Sequence, residues 1–180
     1  ADENSYSVDS NKELVFNHLL EDITWLQVTE ARKEYFMSDD QISYTYGSGK
    51  SARTYDSSLF STLVKTMLLA LNKEYNTDYN VCFLNRYDTQ KNWLGWHADD
   101  SPEMNTEHAI SVISFGAERE IWWKDKLYKG DIPKDNKQLL ENGSLFIMPP
   151  GFQENHLHKI PKCDRSCGIR ISLTFRNYIK

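Results

Sequence analysis

The chain has 180 residues, 39% hydrophobic and 26% charged, which describes one globular domain with a sizeable core and excludes a disordered or fibrous polypeptide. A net charge of −5 excludes a protein that grips duplex nucleic acid mainly by bulk electrostatics, though not one that makes a shallow or transient contact. Three cysteines, Cys82, Cys163 and Cys167, are too few and too odd in number for a disulfide scaffold, so a reduced, intracellular setting (cytoplasmic or nuclear) is expected.

The N-terminal "ADENSYSVDS" is polar and acidic, unlike the apolar core of a signal peptide, and the missing initiator Met suggests a processed or trimmed polypeptide. Ser10 followed by Glu13 forms a capping-box pattern. Val15, Phe16, Leu19, Leu20 and Ile23 then recur at helical spacing, which predicts a first helix. A second, longer helix is predicted in "DSSLFSTLVKTMLLALNKEY", with Leu59, Leu63, Met67 and Leu71 on one stripe and Phe60, Val64 and Leu68 widening it. After Asn76 the pattern changes to short runs divided by turns. "YNVCFLNRY", "HAISVISFG", "REIWWK", "GSLFIMPP" and "GIRISLTFRNY" are the strand candidates. Two helices followed by many short strands predict an α+β protein built on a jelly-roll-like pair of sheets. No apolar run approaches membrane length, so no membrane association is expected.

The segment "RISLTFR", residues 170–176, alternates strictly: Ile171, Leu173 and Phe175 point one way, and Arg170, Ser172, Thr174 and Arg176 the other. The two arginines stand roughly 20 Å apart along a straight strand, and arms leaning inward would leave a gap of about 8 Å. Such a gap suits a short dicarboxylate, which guanidinium forks bind in bidentate fashion. Two solvated surface arginines are the plainer alternative.

His97 and Asp99 are two apart, so on an extended segment an imidazole and a carboxylate leave the same face. A third ligand would complete a two-histidine, one-carboxylate facial triad, the arrangement of non-haem Fe(II) oxygenases. His18 reads as a helix-surface residue and His108 as a structural one. His156 and His158 in "NHLHKIP" both compete for the third position, and with Cys163 and Cys167 they also form a candidate zinc motif.

Several of these pieces, in order, resemble one family. "NRY" at 85–87, "HADD" at 97–100, "ISVISFGAER" at 110–119, "GSLFIMPP" at 143–150, "HKIP" at 158–161 and "RISLTFR" at 170–176 resemble the AlkB-type Fe(II)- and 2-oxoglutarate-dependent dioxygenases of the nucleic-acid dealkylation repair branch. The resemblance implies one domain over residues 1–180, with a double-stranded β-helix core and N-terminal helices packed on its sheet. It further implies a nucleotide-recognition lid over about residues 25–60, around "ARKEYFMSDDQISYTYGSG". By the same resemblance, His97, Asp99 and His158 would ligate iron. Arg170 and Arg176 would hold the two carboxylates of 2-oxoglutarate, with Asn85, Tyr87 and Ser172 completing that site. Relatives often carry asparagine at the place of Ser172, and an acidic residue at the place of Ser101.

The implied reaction is oxidative demethylation of N-alkylated bases of the 1-methyladenine and 3-methylcytosine type in DNA or RNA. It uses O₂, converts 2-oxoglutarate to succinate and CO₂, and releases the alkyl carbon as an aldehyde. Single-stranded DNA or RNA is the favoured partner, and a monomer is expected. Tyr44 and Tyr46 would stack on the flipped base, and Arg32, Lys33 and Ser101 would lie against the strand. A hairpin aromatic pair and solvated charges are the plainer accounts of those residues. Lys124, Lys126 and Lys129 form a basic patch that either meets nucleic acid or guards a sheet edge. Two other readings stay open: a 2-oxoglutarate-dependent hydroxylase acting on a free nucleotide, another modified base or a protein side chain, and a non-catalytic module that binds modified bases.

Overall fold

A computed structural model describes residues 3–27, 29–39, 42–46, 50, 52–55 and 59–179, with the side chains of 3–10 and of Tyr44, Tyr46 and Tyr55 outside the description. Helix α1 spans Glu3–Asp22 and α2 spans Thr62–Tyr75. The strands are β1 (Lys33–Met37), β2 (Tyr44–Tyr46), β3 (Arg53–Tyr55), β4 (Val81–Tyr87), β5 (Leu94–His97) and β6 (Ile110–Gly116). They continue as β7 (Arg119–Asp125), β8 (Lys137–Leu140), β9 (Leu145–Met148), β10 (His156–Ile160) and β11 (Arg170–Arg176), with a one-turn helix α3 (Phe152–Asn155) before β10.

These strands form a major sheet in the order β1-β4-β11-β6-β9 and a minor sheet in the order β5-β10-β7-β8; β2 and β3 pair as a separate hairpin. All pairings are antiparallel. This is the α+β, double-stranded β-helix arrangement anticipated from the sequence. Strand β11 is central and buried along its whole length. Its apolar face, Ile171, Leu173 and Phe175, packs with Leu19 and Ile23 near the end of α1 and Val64, Leu68 and Leu71 of α2. The helices therefore cover one face of the major sheet, leaving the other face to meet the minor sheet. There Ile121, Leu140 and Ile160 close against Tyr87.

Three expectations change. Helix α1 starts at Glu3, so Ser10 is an interior residue rather than an N-cap. Leu59 precedes α2 and is exposed, because Ser61 caps the helix by accepting from the Val64 N–H at 3.3 Å. Strands β1, β5, β8 and β10 were not among the candidates, being only four or five residues long with weak alternation. Strand β1 pairs Lys33 through Met37 with β4, which makes part of the anticipated lid segment an edge strand of the major sheet.

At the β6–β7 turn Gly116 has φ +87°, and a Cβ there would lie 2.3 Å from the Ile169 carbonyl oxygen. That carbonyl accepts from the Ala117 N–H at 2.9 Å, binding the turn to the residue that leads into Arg170. Only glycine meets both the φ value and the approach.

Candidate active site

Register places the polar side chains of three neighbouring strands on one patch. Asn85 and Ser114 lie opposite Ser172, and Tyr87 lies opposite Arg170. Directly paired residues share a sheet face. The patch faces the minor sheet, where His158 of β10 pairs with His97 of β5. Between the sheets is a cavity lined by Asn85, Tyr87, His97, Asp99, His158, Arg170, Ser172, Thr174 and Arg176, with Leu94, Ile121, Leu140 and Ile160 among its apolar walls.

At one end of this cavity, ligand atoms of His97, Asp99 and His158 all lie within 4.8 Å of one another. Nε2 of His97 is 3.8 Å from Oδ1 of Asp99, and Nε2 of His158 is 3.9 Å from Oδ2. The two imidazole centroids are 4.1 Å apart. Nδ1 of His97 lies 2.8 Å from the Gly95 carbonyl, so it donates and leaves Nε2 as the free lone pair aimed at Asp99. Asp99 Oδ2 and His158 Nδ1 are buried without hydrogen-bond partners. Buried polar atoms normally have partners, and an orphaned carboxylate oxygen beside two neutral imidazoles is the donor set of a divalent metal.

The electrostatics agree. Burial pushes the His97 imidazole below its ordinary pKa. Burial, helped by the neighbouring His97, pushes His158 down to about 3. For Asp99, burial would raise the pKa, but the Arg176 guanidinium and the two imidazoles outweigh it and bring the carboxyl to about 2. At neutral pH the cluster is two neutral nitrogens and one carboxylate, the protonation state that metal binding requires.

The other end of the cavity is cationic. Arg170 is buried and donates from Nη2 to the Ser114 Oγ at 2.9 Å, with its guanidinium 5.2 Å from the Tyr87 ring centroid. Its Nε and Nη1 have no partner. A buried guanidinium with two unsatisfied nitrogens beside a cavity is a receptor for a carboxylate. Arg176, at the metal end, donates to Asp99 Oδ1 at 2.9 Å and so orients the carboxylate that the sequence singled out. The arginine pair thus spans the cavity, with Ser172 and Thr174 between.

The remaining candidates divide. Asn85 accepts from Arg32 Nε at 2.9 Å. Arg32 is buried and paired with Glu34 at 2.9 Å, so it is not an exposed cation for phosphate; it braces Asn85 instead. Lys33 pairs with Asp88 at 2.8 Å. Ser101 is half-buried just beyond Asp99. Tyr44 and Tyr46 fall on β2, and their side chains lie outside the described residues. His156 is not at the cluster: it lies 3.1 Å from Asp125 and stacks on Phe152. Among the described residues, His97, Asp99 and His158 form the one cluster with metal-ligating geometry, and the zinc alternative finds no such group. All three cysteines are free thiols.

Two contributors were not anticipated. Gln153 of α3 accepts from the Asp99 N–H at 2.9 Å and so holds the backbone of the ligand loop. Ser114 ties Arg170. Ser114 was legible as an inward residue of β6; nothing local marks Gln153, because its partner is 54 residues away.

Comparisons with known proteins agree with this geometry. The family model described as the 2OG-Fe(II) oxygenase superfamily matches residues 9–176. The chain is 30% identical over 177 residues to "Alpha-ketoglutarate-dependent dioxygenase alkB homolog 3" of Bos taurus, covering 90% of this chain and 60% of that protein. It is 28% identical over 190 residues to "DNA oxidative demethylase ALKBH2" of Arabidopsis thaliana, covering 89% and 60%. The chain thus spans about 60% of the length of these relatives. A solved structure titled "The structure of OsALKBH1" superimposes with a TM-score of 0.62 at 11% identity, covering 94% of this chain and 92% of that one, which speaks to the fold.

Proposed function

Since the chain belongs to the 2OG-Fe(II) oxygenase superfamily, and within it to the AlkB type, we propose that it is a dioxygenase that oxidatively removes N-alkyl groups from nucleic-acid bases. The observation that carries the reading is the pairing of a largely buried two-histidine, one-carboxylate cluster with a buried, half-satisfied arginine at the opposite end of one cavity.

His97, Asp99 and His158 would hold Fe(II), and the donor set fits that ion. With 2-oxoglutarate and O₂, the bound iron supplies oxidation of an unactivated C–H bond, coupled to decarboxylation of the co-substrate. The protein's share is placement and exclusion. The Gly95 carbonyl keeps the His97 proton on Nδ1, and Arg176 fixes the Asp99 carboxylate in its ionised form. Arg170, seated on Ser114 beside Tyr87, would take the distal carboxylate of 2-oxoglutarate, with Asn85 and Ser172 alongside. Leu94, Ile121, Leu140 and Ile160 shield the middle from water.

The names of the curated relatives support nucleic acid as the substrate class, one being called a DNA oxidative demethylase. Bases of the 1-methyladenine and 3-methylcytosine type in single-stranded DNA or RNA are the proposed targets. On the family resemblance, Tyr44, Tyr46 and Ser101 are the residues proposed to meet the substrate. The net charge of −5 favours a single strand over a duplex. The free thiols fit a reducing compartment, and no helix among the described residues is long and apolar enough to cross a membrane.

The deciding experiment supplies Fe(II), ascorbate, 2-oxoglutarate and a panel of methylated oligonucleotides, and follows succinate and demethylated base by mass spectrometry. Equal amounts of both are expected. Succinate without base repair would redirect the reading to a different substrate, and no succinate with any substrate would refute the enzyme.

A further inference from the structure

The inner faces of β5 and β10 carry His97 and His158; their outer faces carry Trp96 and Lys159. Lys159 pairs with Trp122 of β7, and Trp122 pairs with Lys137 of β8. Each of the four strands of the minor sheet therefore adds one side chain to an outward row: Trp96, Lys159, Trp122, Lys137. The Lys159 ammonium sits 5.0 Å from the Trp96 ring centroid and 5.1 Å from that of Trp122, and Lys137 sits 4.2 Å from Trp122. At a strand spacing of about 4.8 Å the row is roughly 14 Å long.

Beside it, Trp93, Trp96, Lys159 and Lys162 wall a groove of about 410 Å³. Lys162 stands 4.3 Å over the Trp93 ring. At Gly95, on the groove's lining, a Cβ would meet nothing within 4 Å, so the space there is open. Three of the chain's five tryptophans thus share one face with four lysines, Lys124 also standing 4.8 Å from the Trp96 ring centroid, on a molecule whose net charge is −5. Glu120, which accepts from the Trp122 indole N–H at 2.7 Å, is the carboxylate within the row.

We propose that this outer face of the minor sheet is a second binding surface, which holds the undamaged part of a single-stranded nucleic acid by base stacking on its tryptophans and phosphate contact with its lysines. The inference rests on the nucleic-acid reading above but uses none of the cavity residues. Single-strand recognition commonly combines aromatic platforms with cations that track the backbone, and an open four-stranded sheet presenting aromatic rings is one established way to do it. Charge complementarity selects the occupant: a protein partner needs an apolar core free of ammonium groups, whereas here an ammonium borders every ring. The cation–π contacts hold the lysines over the rings in the absence of a strand; a bound strand would draw the ammonium groups to its phosphates and free the ring faces for its bases.

The test measures binding of an unmodified, fluorescent 15-mer to the Fe(II)- and 2-oxoglutarate-loaded protein under nitrogen, across a salt series. Replacing Lys137, Lys159 and Lys162 together by Glu should weaken binding at least tenfold. The neutral set, Lys137→Gln, Lys159→Gln and Lys162→Gln, should lower the salt slope by about 2, at roughly 0.7 per lost phosphate contact on a single strand. Thermal midpoints and the stabilisation by 2-oxoglutarate should match the unaltered protein in both sets. In the unaltered protein, the oligonucleotide should quench tryptophan fluorescence and shield the three lysines from acylation. Unchanged affinity in the variants, or acylation of all three lysines unaffected by saturating oligonucleotide, would overturn the surface. Repair of methylated bases with no effect of the lysine changes would sink this inference alone. Lysine-dependent binding of the unmodified strand without any repair would sink the catalytic reading and leave the surface standing.

Discussion

Asp99 and Asp100 are chemically identical neighbours with opposite environments. Asp99 is buried between two imidazoles and Arg176, whereas Asp100 is exposed and meets Lys126 at 3.5 Å. Asp99→Ala should therefore abolish Fe(II) binding and turnover. Asp100→Ala should leave both within a few-fold, since an exposed ion pair contributes about 0–1 kcal/mol. Metal titration alongside succinate release checks this, and equal tolerance of both changes would contradict the ligand assignment. The histidines also set an acid limit on the metal-free protein. An unfolded histidine takes a proton below its ordinary pKa of 6.5, while folded His158 waits until about 3 and His97 is shifted the same way. The unfolded state thus binds more protons throughout that window. Stability is full above 6.5 and falls as the pH drops toward 3, by about 1.4 kcal/mol per pH unit from His158, with His97 adding a loss of the same sign. Asp99 adds its own loss below its ordinary 3.8, down to about 2. Urea unfolding between pH 7 and 4 should show this slope, and His158→Gln should make it shallower. A slope unaltered by that change would place the acid sensitivity elsewhere.

Elements matter here through what they hold still. Helix α3 is one turn long, yet its Gln153 supports the Asp99 backbone directly by accepting from its N–H. Removing such a support to a ligand typically costs about 10–100-fold in metal affinity. Gln153→Ala should do so with little change in the far-UV spectrum, as calorimetric titration of Fe(II) under nitrogen would show. The β6–β7 turn holds the other end. Gly116→Ala would force a residue with a Cβ into φ +87° and against the Ile169 carbonyl. A strained position of this kind costs about 1–3 kcal/mol, or a fall of several degrees in thermal midpoint at about 2–4 °C per kcal/mol for a chain of this size. A midpoint within 1 °C of the unaltered protein (a deliberately strict bound, about a quarter of that scale) would show that the turn relaxes without cost.

For the molecule as a whole, the cavity lies at the meeting of the two sheets, so its ligands bridge layers that otherwise touch through apolar contacts. Loading it should stabilise the entire fold. A ligand at 100 times its dissociation constant adds about 2.7 kcal/mol. Fe(II) with 2-oxoglutarate should accordingly raise the thermal midpoint by about 5–10 °C. A chelator should reverse the gain, and scanning calorimetry under nitrogen would record both. No shift at saturating concentrations would mean that the cavity takes neither.

Much of this was readable from residue order. Local periodicity marks the stripe of α1, the buried face of α2 and the alternating arginine strand, because a regular element carries its own repeat. The spacing of His97 and Asp99 marks two ligands on one face for the same reason. The ordered motifs bring in His158 by family resemblance, and the fold places it against Asp99 where His156 is not. Other features depend on pairs far apart in the chain. The buried Arg32 reads as a surface cation until β1 is seen against β4. Gln153 has no local mark at all, and the short strands β5, β8 and β10 become strands only through their neighbours. The row of Trp96, Lys159, Trp122 and Lys137 spans four strands, so it exists only once hydrogen bonding sets their register. Periodicity is a property of one segment, and the sequence holds it in full; burial, register and charge neutralisation are properties of contacts, and the folded chain alone creates them.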